Sequence, residues 1–336
     1  STGKPKGVSV THRGLSALAA EQTARYGISA QSRTLHFSSP SFDASILELL
    51  LAVGEGATMV IASPDVYGGQ DLAEWVTDHQ VTHAFITPAA LASVDPTGLD
   101  VLQSIVVGGE ACPPELVRKW APGRRLFNGY GPTETTVMVC ISDALSVGET
   151  VTIGGPVRGV SAVILDGSAQ PVPVGVTGEL YIAGLGLARG YLDQPALTAT
   201  RFVAAPFGPA GTRMYRTGDL VRWTPLGTIE YVGRSDHQVK VRGFRIELGE
   251  IDSVLSTYPG VEFAVTVGVD AASGETMLAS YVVLGADAVD MDELLSHARR
   301  SLPAFMVPSA ITPIDHVPLT PVGKLDRSAL PAPSAY

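Results

Sequence analysis

Between residues 33 and 142, five short apolar runs (34–37, 58–62, 83–87, 104–107 and 125–128) alternate with stretches of helical length or periodicity at 44–53, 70–79 and 114–120. This alternation constrains the fold more than any other feature. A strand covered on both faces reads as an unbroken apolar run, and a parallel neighbour needs a long crossover, so the pattern predicts βαβ units on a parallel sheet. From 151 to 233 short strands at 161–165, 178–183 and 228–232 are punctuated by glycine and proline, which predicts an all-β insert resembling a distorted barrel. After Gly233-Arg234-Ser235-Asp236 a hairpin-like stretch at 238–247 leads into a helix at 248–258, strands at 261–269 and 278–284, and a helix at 291–301. That order predicts a small α+β unit. The expected division is a large α/β part at 1–235, with α/β character over 1–150 and the β-rich insert over 151–233. A small unit follows at 236–329, then a Pro/Ala/Ser-rich linker at 330–336.

Composition excludes several classes. A net charge of −10, with no long Lys/Arg cluster, argues against a nucleic-acid partner. The longest apolar run, near 46–53, is broken by Glu48 and too short to span a bilayer, and no signal-peptide pattern opens the chain, so a cytoplasmic protein with no membrane association is expected. Cys112 and Cys140 stand at no metal-binding spacing and are expected as buried free thiols. His79 and His83 are four apart, but Gln80 stands where a zinc hydrolase would carry its glutamate, so both are expected as surface or core histidines. Arginine outnumbers lysine 18 to 5, yet Lys4, Lys6, Lys240 and Lys324 all fall in glycine-rich segments, where a compact ammonium suits a phosphate.

Those segments carry the chemistry. Ser1-Thr2-Gly3-Lys4-Pro5-Lys6-Gly7 combines hydroxyls, glycines and two ammonium groups, a donor set suited to a polyphosphate, although by itself it also reads as a solvated turn. It is not the P-loop pattern, because Pro5 follows Lys4. Directly after an apolar strand comes Asn128-Gly129-Tyr130-Gly131-Pro132-Thr133-Glu134-Thr135-Thr136, placed where open α/β sheets bind ligands. There Tyr130 can stack on a base, Thr133 donate to a phosphate and Glu134 hold Mg²⁺; the alternative is a tight turn with a capping threonine. Further on lie Gly178-Glu179-Leu180-Tyr181, Tyr215-Arg216-Thr217-Gly218-Asp219-Leu220, the run from Gly233 to Gly243, and Pro321-Val322-Gly323-Lys324-Leu325-Asp326-Arg327. A carboxylate such as Asp219 can bind ribose hydroxyls or sit in a surface turn.

In this order and at these separations, across essentially the whole chain, the segments resemble the core motifs of the adenylate-forming enzyme superfamily, specifically adenylation domains of nonribosomal peptide synthetases. The resemblance implies the adenylate-forming fold and an AMP-forming ligase. It also implies a chain that starts inside the family's phosphate loop, with an upstream sub-sheet lying outside it. Ser1, Thr2, Gly3, Lys4 and Lys6 would contact the β,γ-phosphates of ATP. Tyr130 would stack on adenine near Gly109 and Asn128, Glu134 would ligate Mg²⁺ beside Thr133, and Asp219 and Arg234 would hold the ribose. Lys324 would bridge the substrate carboxylate and the ribose-phosphate oxygens as pyrophosphate leaves, and Asp236 would be the hinge of the C-terminal unit.

Within Phe42-Asp43-Ala44-Ser45-Ile46, Asp43 matches the position at which these domains pair a carboxylate with a substrate α-ammonium group; it also suits a helix N-cap. The resemblance lines the side-chain pocket with Ala44, Leu47, Phe85, Val106, Gly108, Gly129, Val137 and Met138, none of them charged. Acidic and basic amino acids are thus disfavoured, and the glycines point to an aromatic or branched aliphatic substrate. A phosphopantetheine carrier domain downstream and a condensation domain upstream are the implied partners, since no carrier-like Gly-Gly-x-Ser occurs in the chain. The rival readings are an acyl- or aryl-acid:CoA ligase, which has no need of Asp43, and a noncatalytic nucleotide-binding fragment.

Overall fold

The computed structural model describes residues 6–234, 239–241, 244–246, 248–270, 276–285, 289–318 and 329–333. Lys6–Asp236 and His237–Tyr336 form two compact units. Ser1, Thr2, Gly3, Lys4, Asp236 and Lys324 lie outside the described residues.

The larger unit opens with α1 (Leu15–Tyr26), closed by Gly27 in the left-handed region at φ 66°. Five strands then alternate with helices: β1 (Arg33–His36), α2 (Ala44–Val53), β2 (Thr58–Ile61), α3 (Gly69–Asp78), β3 (His83–Ile86), α4 (Pro88–Ala92), β4 (Ser104–Gly108), α5 (Pro114–Trp120) and β5 (Arg125–Tyr130). They pair in parallel in the order β2-β1-β3-β4-β5, as the alternation predicts, and β6 (Cys140–Ile141) and β7 (Gly155–Pro156) extend the sheet antiparallel.

Successive strand side chains point to opposite faces, and the central strands are buried on both. Ala84, Ile86, Ile105, Val107 and Leu126 join Leu72, Val76, Leu91, Leu116 and Trp120 in one core. The alternate residues Phe85, Val106 and Phe127 join Leu18, Tyr26, Leu47 and Leu51 in another. The strand order reverses between β1 and β3, so the carboxyl ends of these strands border the crevice where open α/β sheets take ligands.

The insert is a curled antiparallel sheet of five strands: β8 (Val160–Leu165), β9 (Gly178–Gly184), β10 (Phe202–Ala204), β11 (Arg213–Trp223) and β12 (Ile229–Arg234). It is not all β, because α6 (Pro195–Arg201) interrupts it, with proline in its first turn, where a missing N–H costs nothing.

The smaller unit comprises the hairpin β13 (Val239–Val241) and β14 (Phe244–Ile246), then α7 (Leu248–Ser256), β15 (Val261–Asp270), β16 (Thr276–Leu284), α8 (Met291–Ser301) and β17 (Ala310–Pro313). β17, unforeseen from sequence, pairs parallel with β16 and completes a three-stranded sheet. Asp290 caps α8, its Oδ1 accepting from Asp292 N and Glu293 N; acidic residues fill the first turn and Arg299 and Arg300 the last, as the helix dipole favours.

Candidate active site

The residues expected to line the pocket come from β3, β4 and β5, from α2 and, for Val137 and Met138, from the segment that follows the 3-10 turn Thr133–Thr135. Ladder register sets Phe85 opposite Val106 and Gly108 opposite Gly129. Ala44, Leu47, Phe85, Val106, Val137 and Met138 all belong to one apolar cluster, so the structure gathers six of the eight into a single wall. The space over the two glycines is occupied. A Cβ on Gly129 would lie 2.5 Å from Met138 Cε, and one on Gly108 would lie 3.0 Å from Phe85 Cε2. Absent strand side chains free a volume only if the neighbours leave it empty, and here a flexible thioether and an aromatic ring have entered it.

Met138 follows a strained turn. Thr136 and Val137 hold φ of 68° and 62°, the left-handed region that a β-branched residue seldom enters. The surroundings enforce it: Thr136 Oγ1 donates to Gly186 O at 2.6 Å, and Val137 O lies where a Cβ on Gly131 would meet it at 2.3 Å.

Beside the first residue of this wall stands Asp43, at the first position before α2, its side chain bonding to the Ala44 amide but capping no later amide of the helix. It is half-buried, and burial pushes its carboxyl above the usual range; the Thr133 hydroxyl bonds to it and opposes that rise, while the Glu134 carboxylate adds to it. Among the described residues no Lys, Arg or His forms an ion pair with Asp43.

Thr133 and Glu134 lie on a short 3-10 turn after β5. Glu134 is buried, and Tyr191 donates its hydroxyl to Glu134 Oε1 at 2.6 Å. The end of the Ser1–Gly7 segment joins this group, for Leu192 N donates to Gly7 O at 2.8 Å and Lys6 Nζ lies 6.0 Å from the Tyr191 ring centroid. Among the described residues no cluster of three or more His, Cys, Asp or Glu gathers as a metal cage. The buried Glu134 carboxylate, held by the Tyr191 hydroxyl, fits Mg²⁺, which is held by one or two protein carboxylates and otherwise by phosphate and water.

A second polar group lies on the insert. Arg234 Nη1 donates to Asp219 Oδ1 at 2.6 Å and Nη2 to Thr217 O at 3.2 Å, and Tyr130 donates its hydroxyl to Asp219 Oδ2. Thr217 in turn donates to Leu180 O at 2.7 Å and accepts from Asp219 N at 3.0 Å. The Tyr130 ring is buried beside Val139, Ile164 and Val221, and burial with the Asp219 carboxylate holds its hydroxyl protonated. Asn128 is buried with its amide donating to Thr152 O, and Gly109 adopts φ 87°.

The structure thus brings Tyr130, Asp219 and Arg234 into one network and Asp43, Thr133 and Glu134 into another. Sequence reasoning missed Tyr191, which orients Glu134, and Thr217, which braces Asp219. Thr217 stands inside a segment that had been singled out for Asp219 alone; Tyr191 is 57 residues from its partner and carries no local signal. Both cysteines are buried free thiols pushed up to about 12 by burial. His79 stacks on Trp75 at 4.2 Å and His83 is a core residue with Nε2 3.1 Å from Tyr26 O, placements that match the expectation of surface or core histidines. Among the described residues no helix is long and apolar enough to cross a membrane.

Comparison with known proteins agrees with the fold. Residues 1–192 match the family model of the AMP-binding enzymes, and residues 250–324 that of the AMP-binding enzyme C-terminal domain. The chain is 49% identical over 334 residues to novobiocin biosynthesis protein H of Streptomyces niveus, covering 99% of this chain and 56% of that protein. It is 46% identical to phosphinothricin tripeptide synthetase PhsC of Streptomyces viridochromogenes, of which it spans 31%. Among solved structures it is similar to holo-PA1221, an NRPS protein containing adenylation and PCP domains, with a TM-score of 0.84, 30% identity, and coverage of 97% of this chain and 57% of that one. The chain therefore belongs to the AMP-binding enzymes, the AMP-forming ligases of the adenylate-forming superfamily.

Proposed function

We propose that this chain activates an amino acid with uncharged, apolar side chain as its aminoacyl adenylate, ATP and amino acid giving aminoacyl-AMP and pyrophosphate, and that it passes the acyl group to a carrier domain's phosphopantetheine thiol in nonribosomal peptide synthesis. The observation that carries this reading is Asp43, a half-buried carboxylate that forms no ion pair with a cation among the described residues and stands next to an apolar wall. A charge held there costs free energy that a bound α-ammonium group returns, whereas a substrate lacking that group gives it nothing.

On this reading Thr133 and Lys6 contact phosphate, Glu134 shares Mg²⁺ with the phosphates, and Asp219, steadied by Arg234 and Tyr130, binds the ribose. Mg²⁺ when bound would neutralise phosphate charge as pyrophosphate departs. Lys324 would stabilise charge on the attacked α-phosphate and Asp236 would serve as hinge, both outside the described residues. The similarity to an NRPS protein containing adenylation and PCP domains supports the carrier partner; an upstream condensation domain is proposed from the resemblance alone. Met138 and Phe85 limit the depth available to the side chain.

The test is amino-acid-dependent ATP/pyrophosphate exchange on this chain and on the full-length protein, across the proteinogenic amino acids and a set of aryl and fatty acids. Exchange driven by an apolar amino acid and lost in Asp43→Ala supports the reading. Exchange only with acids lacking an α-amine moves the chain to the acyl-ligase branch, and silence from both proteins leaves a noncatalytic nucleotide-binding fold.

A further inference from the structure

Helix α2 is almost entirely apolar, Ala-Ser-Ile-Leu-Glu-Leu-Leu-Leu-Ala-Val, yet Glu48 at its middle is 0% exposed. A carboxylate so placed costs free energy, where a leucine would stabilise, unless donors meet both oxygens. They do. Phe37 N donates to Oε2 at 2.9 Å, Ser38 N to Oε2 at 3.0 Å and Oε1 at 3.1 Å, and Ser38 Oγ to Oε1 at 2.7 Å. His36 Nδ1 stands 2.9 Å from Oε2, out of line for a hydrogen bond.

All of these donors come from the end of β1 and the first residues after it. The connection 37–43 makes few backbone bonds of its own, Phe42 N to Ser39 O being one, and its far end is Asp43, which opens α2. The connection therefore leaves the sheet, is fastened at its start to the middle of α2, and returns to that same helix at Asp43. One helix carries the anchor Glu48, the pocket residues Ala44 and Leu47, and Asp43. A leucine at position 48 would fill the space equally well but could not accept from two amides and a hydroxyl, so the carboxylate sets the rotation and height of α2 against β1. Buried polar groups are best attested in such a register-setting role.

We propose that Glu48 is a positioning residue of the substrate site, holding the 37–43 connection so that Asp43 stands beside the first residue of the apolar wall. This rests on the reading of Asp43 as partner of the α-ammonium group.

The experiment uses the full-length protein and the amino acid giving fastest pyrophosphate exchange. KM for that amino acid, KM for ATP and kcat are measured for Glu48→Ala, Glu48→Gln, Ser38→Ala and Asp43→Asn, together with the affinity of each variant and of Asp43→Asn/Glu48→Ala for the corresponding aminoacyl sulfamoyl-adenosine. Glu48→Ala should raise the amino-acid KM about tenfold or more while leaving ATP KM and kcat within about threefold. Glu48→Gln and Ser38→Ala should give smaller rises of the same kind. In the Asp43→Asn background, Glu48→Ala should weaken analogue binding less than about twofold further, because it acts through Asp43. Equal losses in ATP KM and kcat, or an additive loss in that background, overturn the proposal. Should Glu48→Ala fail to fold, an unchanged amino-acid KM in both Glu48→Gln and Ser38→Ala overturns it. An Asp43→Asn protein with unaltered amino-acid KM sinks the underlying substrate reading, a result the Glu48 variants alone cannot mimic.

Discussion

Asp219 and Arg234 are direct register partners across β11 and β12, and Arg234 Nη1 donates to Asp219 Oδ1 at 2.6 Å with both side chains buried. The same carboxylate accepts from the Tyr130 hydroxyl, so the end of β5 and strand β11 of the insert are tied through one carboxylate. Removing the guanidinium leaves a buried carboxylate short of its cation. Arg234→Ala should therefore lower unfolding free energy by about 3–5 kcal/mol, and Arg234→Lys, which keeps the charge without the planar fork, should cost less while still raising the KM for ATP. Chemical denaturation and exchange kinetics check the two effects separately.

Asp43 should show the opposite trade. Burial raises its folded-state pKa above the unfolded value near 4, so the folded protein holds the proton more tightly than the unfolded chain does. The resulting penalty is absent below about pH 4 and fully present above the raised pKa. Asp43→Asn should thus be as stable as wild type near pH 4 and more stable at pH 7, while losing about a hundredfold or more in amino-acid-dependent exchange. In the wild type the amino-acid KM should climb as pH falls through the raised pKa, since the protonated carboxyl no longer pairs an ammonium. Thermal melts at the two pH values and a pH series of KM decide it.

The hydroxyl of Tyr191, 2.6 Å from Glu134 Oε1, fixes that carboxylate in a buried site. Tyr191→Phe keeps the ring's packing and removes only the donor, so stability should fall by about 1 kcal/mol. If Glu134 binds Mg²⁺, the Mg²⁺ concentration for half-maximal exchange should rise severalfold while the amino-acid KM stays within about twofold. A titration of Mg²⁺ at saturating ATP measures this.

Two neighbouring glycines should respond differently to alanine. At Gly129 the new methyl meets the end of the Met138 side chain, which can swing away, whereas at Gly131 it meets the backbone of Val137 and Met138 at 2.3 and 2.6 Å. Gly131→Ala should cost about 3 kcal/mol or fail to fold. Gly129→Ala should fold normally but narrow the pocket, shifting preference towards smaller apolar amino acids, and Met138→Ala added to it should restore the larger ones. Side-by-side melts and exchange with a graded series of apolar amino acids test both.

Much of the fold was legible before any coordinates. The runs at 83–87 and 104–107 correspond to β3 and β4, and the stretches 44–53 and 114–120 to α2 and α5, because strands covered on both faces must be apolar throughout and helices between them must be long enough to cross back. The helix Pro195–Arg201 escaped notice because it is short and sits among glycine and proline signals. β17 escaped because Ala310–Pro313 is a strand only through pairing with β16, more than twenty-five residues earlier.

The family and the segments that bear its chemistry are written in local order: glycine-rich turns, a carboxylate in an apolar run and lysines where arginine is otherwise preferred can each be read within a few residues. What lies across the fold could not be. That Tyr191 orients Glu134, that Tyr130 and Arg234 share Asp219, that Met138 fills the space over Gly129 and that Glu48 fastens the connection leading to Asp43 are all contacts between side chains brought together by the sheet. Residue type and spacing decide which groups a chain possesses; only packing decides which of them meet, because hydrogen bonds and buried charges depend on distances of a few tenths of an ångström that no periodicity encodes.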